Sequence, residues 1–211
     1  EIINRLRKRL AAENSIVSIE GRDMNSGEQY QALHQGTIDA GLLRRVAEDP
    51  SITFEPLFRE RFAVVMRSDH PLARSPKVRL AQLRREPLLL HERPFAASAY
   101  DKILGLYSAA GVTPTVVTLH SRPGALEEML AIVSGSGISL ALESPSSRSY
   151  VQVEGIATVP LDEPGATLEV GMARRSDETS PAVTRLIGLA REVTTRDFGH
   201  MTSRIGTPSG T

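Results

Sequence analysis

Short apolar runs alternate with amphipathic, helix-length segments along almost the whole chain, over short connections. That order demands an α/β architecture, and the spacing predicts mostly parallel sheets. Ile2, Ile3, Leu6 and Leu10 recur at helical spacing, with the charges of Arg5, Arg7, Lys8 and Arg9 mostly outside the stripe, as in an amphipathic helix. Residues 15–20 (SIVSIE) read as a strand. Ser26 stands where an N-cap belongs, ahead of a helix carrying Tyr30 and Leu33, and Gly36 stops that helix as a left-handed cap would. A strand over about residues 40–43 follows almost at once. Further strands are expected at 57–65 and 88–90. Between them Pro71 and Pro76 bracket a loop that, with a short helix in RLAQLRRE, reads as a surface excursion.

After His91 the pattern repeats, with a loop through Pro94, a helix over 97–110 stopped by Gly111, a strand at 115–119, and a second helix from about Pro123 that ends at SGSG. A buried strand at 138–142, two later strands at 150–159 and 168–173, and a helix over 181–193 complete the ordered part. The tail beyond Asp197 is rich in Gly, Ser, Thr and Pro without periodicity, and is expected to be disordered. Strand, helix and strand occur once on each side of about residue 91, so two lobes are expected. Lobe I takes residues 1–90 and 163–197, lobe II takes 91–162, and 198–211 form the tail.

With 211 residues and 40% apolar content, such a chain can bury a real core. Its 25 basic and 25 acidic residues cancel, which leaves no electrostatic footprint for nucleic acid or an anionic membrane. Zero cysteines exclude disulfides and thiolate chemistry, and no apolar run approaches the roughly 18–20 residues of a membrane span. The first residues, EIINRLRKRLAAE, are charged and helical with no initiator methionine, so the sequence is expected to be a fragment whose upstream part is missing.

Catalytic patterns are missing. The five histidines are scattered, no metal-ligand pair stands at helical spacing, and there is no nucleophile elbow or phosphate loop. The GSG of 135–137 follows a helix and precedes a strand, the reverse of the order that aims helix amides at phosphate. Glu127 and Glu128 are neighbours that diverge by about 100° on a helix, and are read as helix surface. What accumulates instead is a set of loops running from strand ends to helix starts: Asn25-Ser26-Gly27, Pro94 to Ser98, and His120-Ser121-Arg122-Pro123. Each is an ordinary cap when taken singly. Converging, their unpaired N–H groups would make a site for a carboxylate.

LHQGTIDAGLLR (33–44), ERFAVVMRSDHPLA (60–73), VRLAQLRREPLLL (78–90) and IVSGSGISL (132–140) resemble, in order and spacing, the effector-binding domain of LysR-type transcriptional regulators. No single piece is specific, but the ordered set is, and the resemblance covers about residues 1–193. Within the family the chain looks most similar to regulators of aromatic-compound degradation, whose effectors are small carboxylates such as benzoate or muconates.

The resemblance implies two Rossmann-like lobes of the type 2 periplasmic-binding-protein-like kind, joined by two crossover strands, here about 89–91 and 159–162, with a small-molecule effector in the cleft. Ser26 matches the family's usual serine or threonine at the start of the first-lobe helix, beside Asn25 and Gly27. Glu55 falls at a second ligand-facing position, where a carboxylate would repel an anionic effector and so departs from the family pattern. Arg44 would supply positive charge, with a solvated strand end as its alternative. His120, Arg122 and Ser98 are second-lobe candidates, and Phe95 and Leu130 would form apolar wall, Leu130 alternatively plain core. Asp39 is read as scaffold, accepting hydrogen bonds where the chain enters a parallel strand.

No cofactor, metal or catalytic residue is expected. The implied partners are a second copy, as homodimer or homotetramer, through the helices near Tyr30 and Glu128, and DNA only through an N-terminal winged helix-turn-helix that these residues lack. The implied location is cytoplasmic. The rivals are a solute-binding protein of a transport system and, less favoured, an enzyme on the same two-lobed scaffold.

Overall fold

The computed structural model describes residues 2–13, 17–45, 48–121, 123, 125–143 and 153–202. The chain divides into two compact units, Glu1–Arg59 with Glu169–Thr211, and Glu60–Leu168.

In the first unit, helix α1 (Ile2–Ala12) buries Leu6 and Leu10, as its apolar stripe requires, and packs on α5 (Pro181–Thr202). Leu57, Phe58, Val170, Met172, Val183, Ile187 and Leu189 complete that core. Helix α2 (Ser26–His34) lies against strand β1 (Gly41–Arg44), with Leu33, Leu43, Ile52 and Ala173 forming a second buried cluster. Gly36 adopts φ 67°, and the Thr37 N–H reaches back to the Ala32 carbonyl at 2.9 Å, a Schellman closure that only a residue free of the Cβ penalty enters cheaply. The chain then turns into β1, which pairs antiparallel with β7 (Thr167–Arg175), Gly41 opposite Ala173 and Arg44 opposite Val170. In the sheet, β7 lies between β1 and β2 (Ile52–Arg67).

In the second unit the later half of β2 pairs antiparallel with β5 (Ser139–Glu143) and β6 (Ile156–Pro160). Strands β3 (Leu88–His91) and β4 (Val116–Leu119) pair in parallel, and Ile138 bridges to Leu88. Helices α3 (Ala97–Ala109) and α4 (Leu126–Val133) connect these strands. The core gathers Phe62, Val64, Met66, Leu88, Leu90, Ile103, Leu106 and Tyr107.

Several expectations need correction. Of the described ladders only β3–β4 is parallel, because an apolar run carries no strand direction and the path of the connection sets it. Asp39 therefore precedes an antiparallel strand; its side chain is exposed and accepts no hydrogen bond among the described residues. The supposed surface excursion is not one: Val78, Leu80 and Leu83 are at most 1% exposed and plug the second-unit core, with Leu80–Leu83 as a 3₁₀ turn.

This also moves the division of the chain. Residues 60–90, expected in lobe I, share the hydrophobic core of the second unit, so the chain passes between units inside β2 at Arg59–Glu60 and inside β7 at Leu168–Glu169. Val17 to Glu20 are irregular and not a strand, although Val17 and Ile19 pack on the first core; Ser15 and Ile16 lie outside the described residues. Helix α5 runs on to Thr202, past the expected start of a disordered tail at 198, and residues 203–211 lie outside the described ones.

Candidate functional site

In the first unit the N-cap of α2 is Asn25, one residue earlier than expected. Its Oδ1 accepts the Glu28 N–H at 3.0 Å, while its own N–H donates to Glu28 Oε2 at 2.7 Å, a reciprocal capping box. Asn25 is thereby committed to the helix, and Ser26 moves into the first turn. There Ser26 Oγ accepts the backbone N–H of Arg44 at 3.2 Å, which joins the start of α2 to the end of β1. Having accepted that bond, the hydroxyl retains its proton for a further acceptor. The amides of Ser26 and Gly27, in the first turn, have no intrahelical acceptor. Gly27 stays bare beside them: a Cβ there would stand 3.3 Å from Asn25 Oδ1. A hydroxyl and helix amides thus meet beside the main chain of Arg44, a chemistry suited to a carboxylate.

Glu55 does not stand open to a ligand. Its carboxylate is ion-paired with Arg191 of α5, which removes the repulsion an anion would otherwise meet. Two arginines escaped the sequence reading. Arg45 stacks over Phe54 at 4.7 Å and stands 3.4 Å from Glu169, and Arg59 donates to the same carboxylate at 2.9 Å. No periodicity could have found them, since their partner is more than 100 residues away.

In the second unit the strand ends bring together a different set. Phe95 is half-buried in a short turn, Arg93–Phe95. Ser98 lies in the first turn of α3, with its Oγ buried and without a partner among the described residues, as is the Oγ of Ser121. His120 is exposed, with Nδ1 3.1 Å from Glu92 Oε1. Arg122 lies outside the described residues. Leu130 is not core, being 60% exposed on α4.

That helix inverts its expected polarity. Glu128, read as helix surface, is 1% exposed, while Leu126, Leu130 and Val133 face outward. The reason is His91, which closes the apolar run of β3. Its Nδ1 donates to the Ser121 carbonyl at 2.6 Å and its Nε2 stands 3.1 Å from Glu128 Oε2, whose other oxygen accepts the Ser139 hydroxyl. The Nε2–Oε2 contact is off the line of the ring N–H, so its character is charge–charge more than hydrogen-bonded. Burial works against the charged imidazole, but the carboxylate of Glu128 and the Ser121 carbonyl outweigh it and hold the His91 pKa above its ordinary 6.5.

A serine, a histidine and an aspartate also meet in the first unit. His34 Nε2 is 2.8 Å from Asp49, but the Ser51 hydroxyl donates to Asp49 at 2.6 Å and lies 3.4 Å from His34 Nδ1. The hydroxyl proton is thus aimed at the carboxylate and not at an imidazole base, so the group activates no nucleophile. Hydrogen bonds from Ser51 hold the Asp49 carboxyl below its usual range. Among the described residues no three metal-ligating side chains gather, and no helix is long and apolar enough to cross a membrane.

The model of the LysR substrate binding domain matches residues 1–195. The chain belongs to that family. Among its relatives, the HTH-type transcriptional regulator YnfL of Escherichia coli K12 is 33% identical over 168 residues, covering 79% of this chain and 54% of the relative. The HTH-type transcriptional regulator BenM of Acinetobacter baylyi is 30% identical over 178 residues, 83% of this chain and 57% of the relative. The chain therefore spans little more than half the length of these relatives.

Among solved structures, the effector-binding domain of BenM with its effector benzoate superposes with a TM-score of 0.78 at 25% identity, covering all of this chain and 89% of that one. Full-length BenM gives the same TM-score and identity over 98% of this chain and 66% of its own. The LysR substrate-binding domain shares the type 2 periplasmic-binding-protein-like fold of these structures. The family and these structures are those of effector-binding domains, and the likeness is to regulators and not to solute-binding proteins of transport systems. The relatives are transcriptional regulators, a class defined by binding and not by catalysis.

Proposed function

We propose that this domain senses a small anionic effector of the aromatic-carboxylate class, and that the carboxylate is held by the first turn of α2 together with Arg44. The observation that carries this reading is the 3.2 Å contact from the Arg44 N–H to Ser26 Oγ. It ties the Ser26 hydroxyl and the first-turn amides of α2 to the backbone at the end of β1, the strand end that carries Arg44, while Glu55 is neutralised by Arg191. The likeness to a BenM domain that has benzoate as its effector supports the aromatic class. Within the second unit taken by itself, Ser98, Ser121 and His120 are proposed as polar contacts for a small effector, with Phe95 as apolar wall.

In the parent regulator, the effector would shift the population of arrangements that hold DNA, in the cytoplasm, through a winged helix-turn-helix outside these residues. It does so only by binding one arrangement more tightly than another. Self-association is supported on the second unit alone, where Val116, Val117, Leu126, Leu130 and Val133 are the exposed large apolar residues among those described. The helix near Tyr30 offers no such face, as Tyr30 is half-buried against Leu33 and Leu43.

Calorimetry against benzoate and small dicarboxylic acids tests the effector assignment. Ser26→Ala is expected to weaken the tightest of these ligands about tenfold and Arg44→Ala by at least as much, as fits charge-assisted hydrogen bonds. Unchanged affinity in both variants would place the carboxylate elsewhere.

A further inference from the structure

His91, Glu128 and Ser139 come from three elements, β3, α4 and β5, and meet where the chain is almost dry: His91 is 8% exposed and Glu128 1%. A carbonyl oxygen can only accept, so the 2.6 Å contact to Ser121 requires a proton on His91 Nδ1. The state of Nε2 is then set by Glu128. With Nε2 protonated, an imidazolium faces a carboxylate and each buried charge has its counter-ion. Without that proton, a ring lone pair and a carboxylate oxygen stand 3.1 Å apart, two acceptors with no water to part them.

Glu127 on α4 adds weakly to the field that favours the imidazolium, while Glu92, next in the chain, is engaged with His120. Ser139 is neutral, and its hydroxyl is spent on Glu128.

We propose that His91 and Glu128 are positioning residues that, through the proton on Nε2, seat the inner face of α4 beside Ser121 for effector binding, resting on the reading that His120 and Ser121 meet the effector. The network reaches both ends of the helical connection. His91 grips the segment that leads into α4 through the Ser121 carbonyl, and Glu128 and Ile132 seat the helix itself. Loss of the Nε2 proton removes the attraction to Glu128 on α4, while Nδ1–H stays on the Ser121 carbonyl. The outward face, Leu126, Leu130 and Val133, is carried by the same eight-residue helix and moves with it.

Hydrogen exchange of the α4 amides in this chain, from pH 5.5 to 9 and corrected for intrinsic exchange rates, reads the device without a ligand. Protection is expected to be greatest at the acid end and to fall about tenfold or more as pH rises above 6.5. Glu128→Gln removes the carboxylate charge, so that an amide N–H faces neutral His91 Nε2 in place of a second acceptor while the amide oxygen accepts from Ser139. It should hold protection constant over the same range. A flat profile in the unaltered chain, or a retained slope in Glu128→Gln, overturns the proposal.

With benzoate as the probe, affinity should fall over the same range in the unaltered chain and stay level in Glu128→Gln. Pairing of the exchange slope with a pH-independent affinity overturns the link to the effector. Absence of benzoate binding at every pH refutes the benzoate reading, and the exchange profile then decides the positioning of α4 alone.

Discussion

Arg59 and Glu169 are ion-paired at 2.9 Å, and they are the two residues at which the chain leaves the first unit and re-enters it. The pair cross-links β2 to β7 at the point where both strands change unit. Glu169 also faces Arg45, so its removal would leave two guanidinium groups with one carboxylate fewer between them. Both partners are partly solvated, at 39% and 26% exposure, and screening keeps the effect small. Glu169→Ala is expected to cost about 1 kcal/mol and Arg59→Ala less. Urea unfolding measures the difference, which should shrink in 1 M salt.

Asn25 closes the helix that presents Ser26. Asn25→Ala removes the acceptor for the Glu28 N–H and should cost about 1 kcal/mol, whereas Asn25→Asp keeps it. Because the cap aims the first turn of α2, Asn25→Ala should also weaken carboxylate binding, measured by calorimetry beside the unfolding midpoint.

Tyr107 is 1% exposed, and its hydroxyl has no partner among the described residues. Tyr107→Phe removes an unsatisfied polar atom and is expected to stabilise the second unit by about 1 kcal/mol. Burial pushes the phenol pKa from 10.0 up to about 12. A raised folded pKa means that this group's share of stability is complete below pH 10 and is lost as pH climbs through 12. Alkaline unfolding should therefore begin at higher pH in Tyr107→Phe, as followed by circular dichroism.

Leu130 protrudes from α4 with Leu126 and Val133. If this face joins two copies, Leu130→Glu should shift sedimentation toward the monomer with the unfolding midpoint unchanged, since an exposed residue contributes little to the core. An unaltered sedimentation profile would exclude this face from the interface.

The alternation of strand-forming and helix-forming runs was legible because each element repeats its own apolar period, and the C-terminal ends of α2 and α3 were marked by Gly36 and Gly111, while the start of α2 was read one residue late, at Ser26. The contact between Ser26 and the main chain of Arg44 joins two places that the order of motifs had named, since the start of α2 and the end of β1 are local features. Leu130 and Glu128 exchanged their expected places for a reason no window could show. A carboxylate enters a core only where a partner waits for it, and His91 lies 37 residues earlier in the numbering.

By itself the sequence determined the α/β class, the membership of the family and the start of α2, all of which rest on contacts within a few residues or on the order of motifs. Only the tertiary structure decided the strand directions, the passage between units at Arg59 and Leu168, the pairing of Glu55 with Arg191, and the burial of His91 with Glu128. Those depend on which distant groups share a site with little water, and charge compensation there is a property of the folded chain alone.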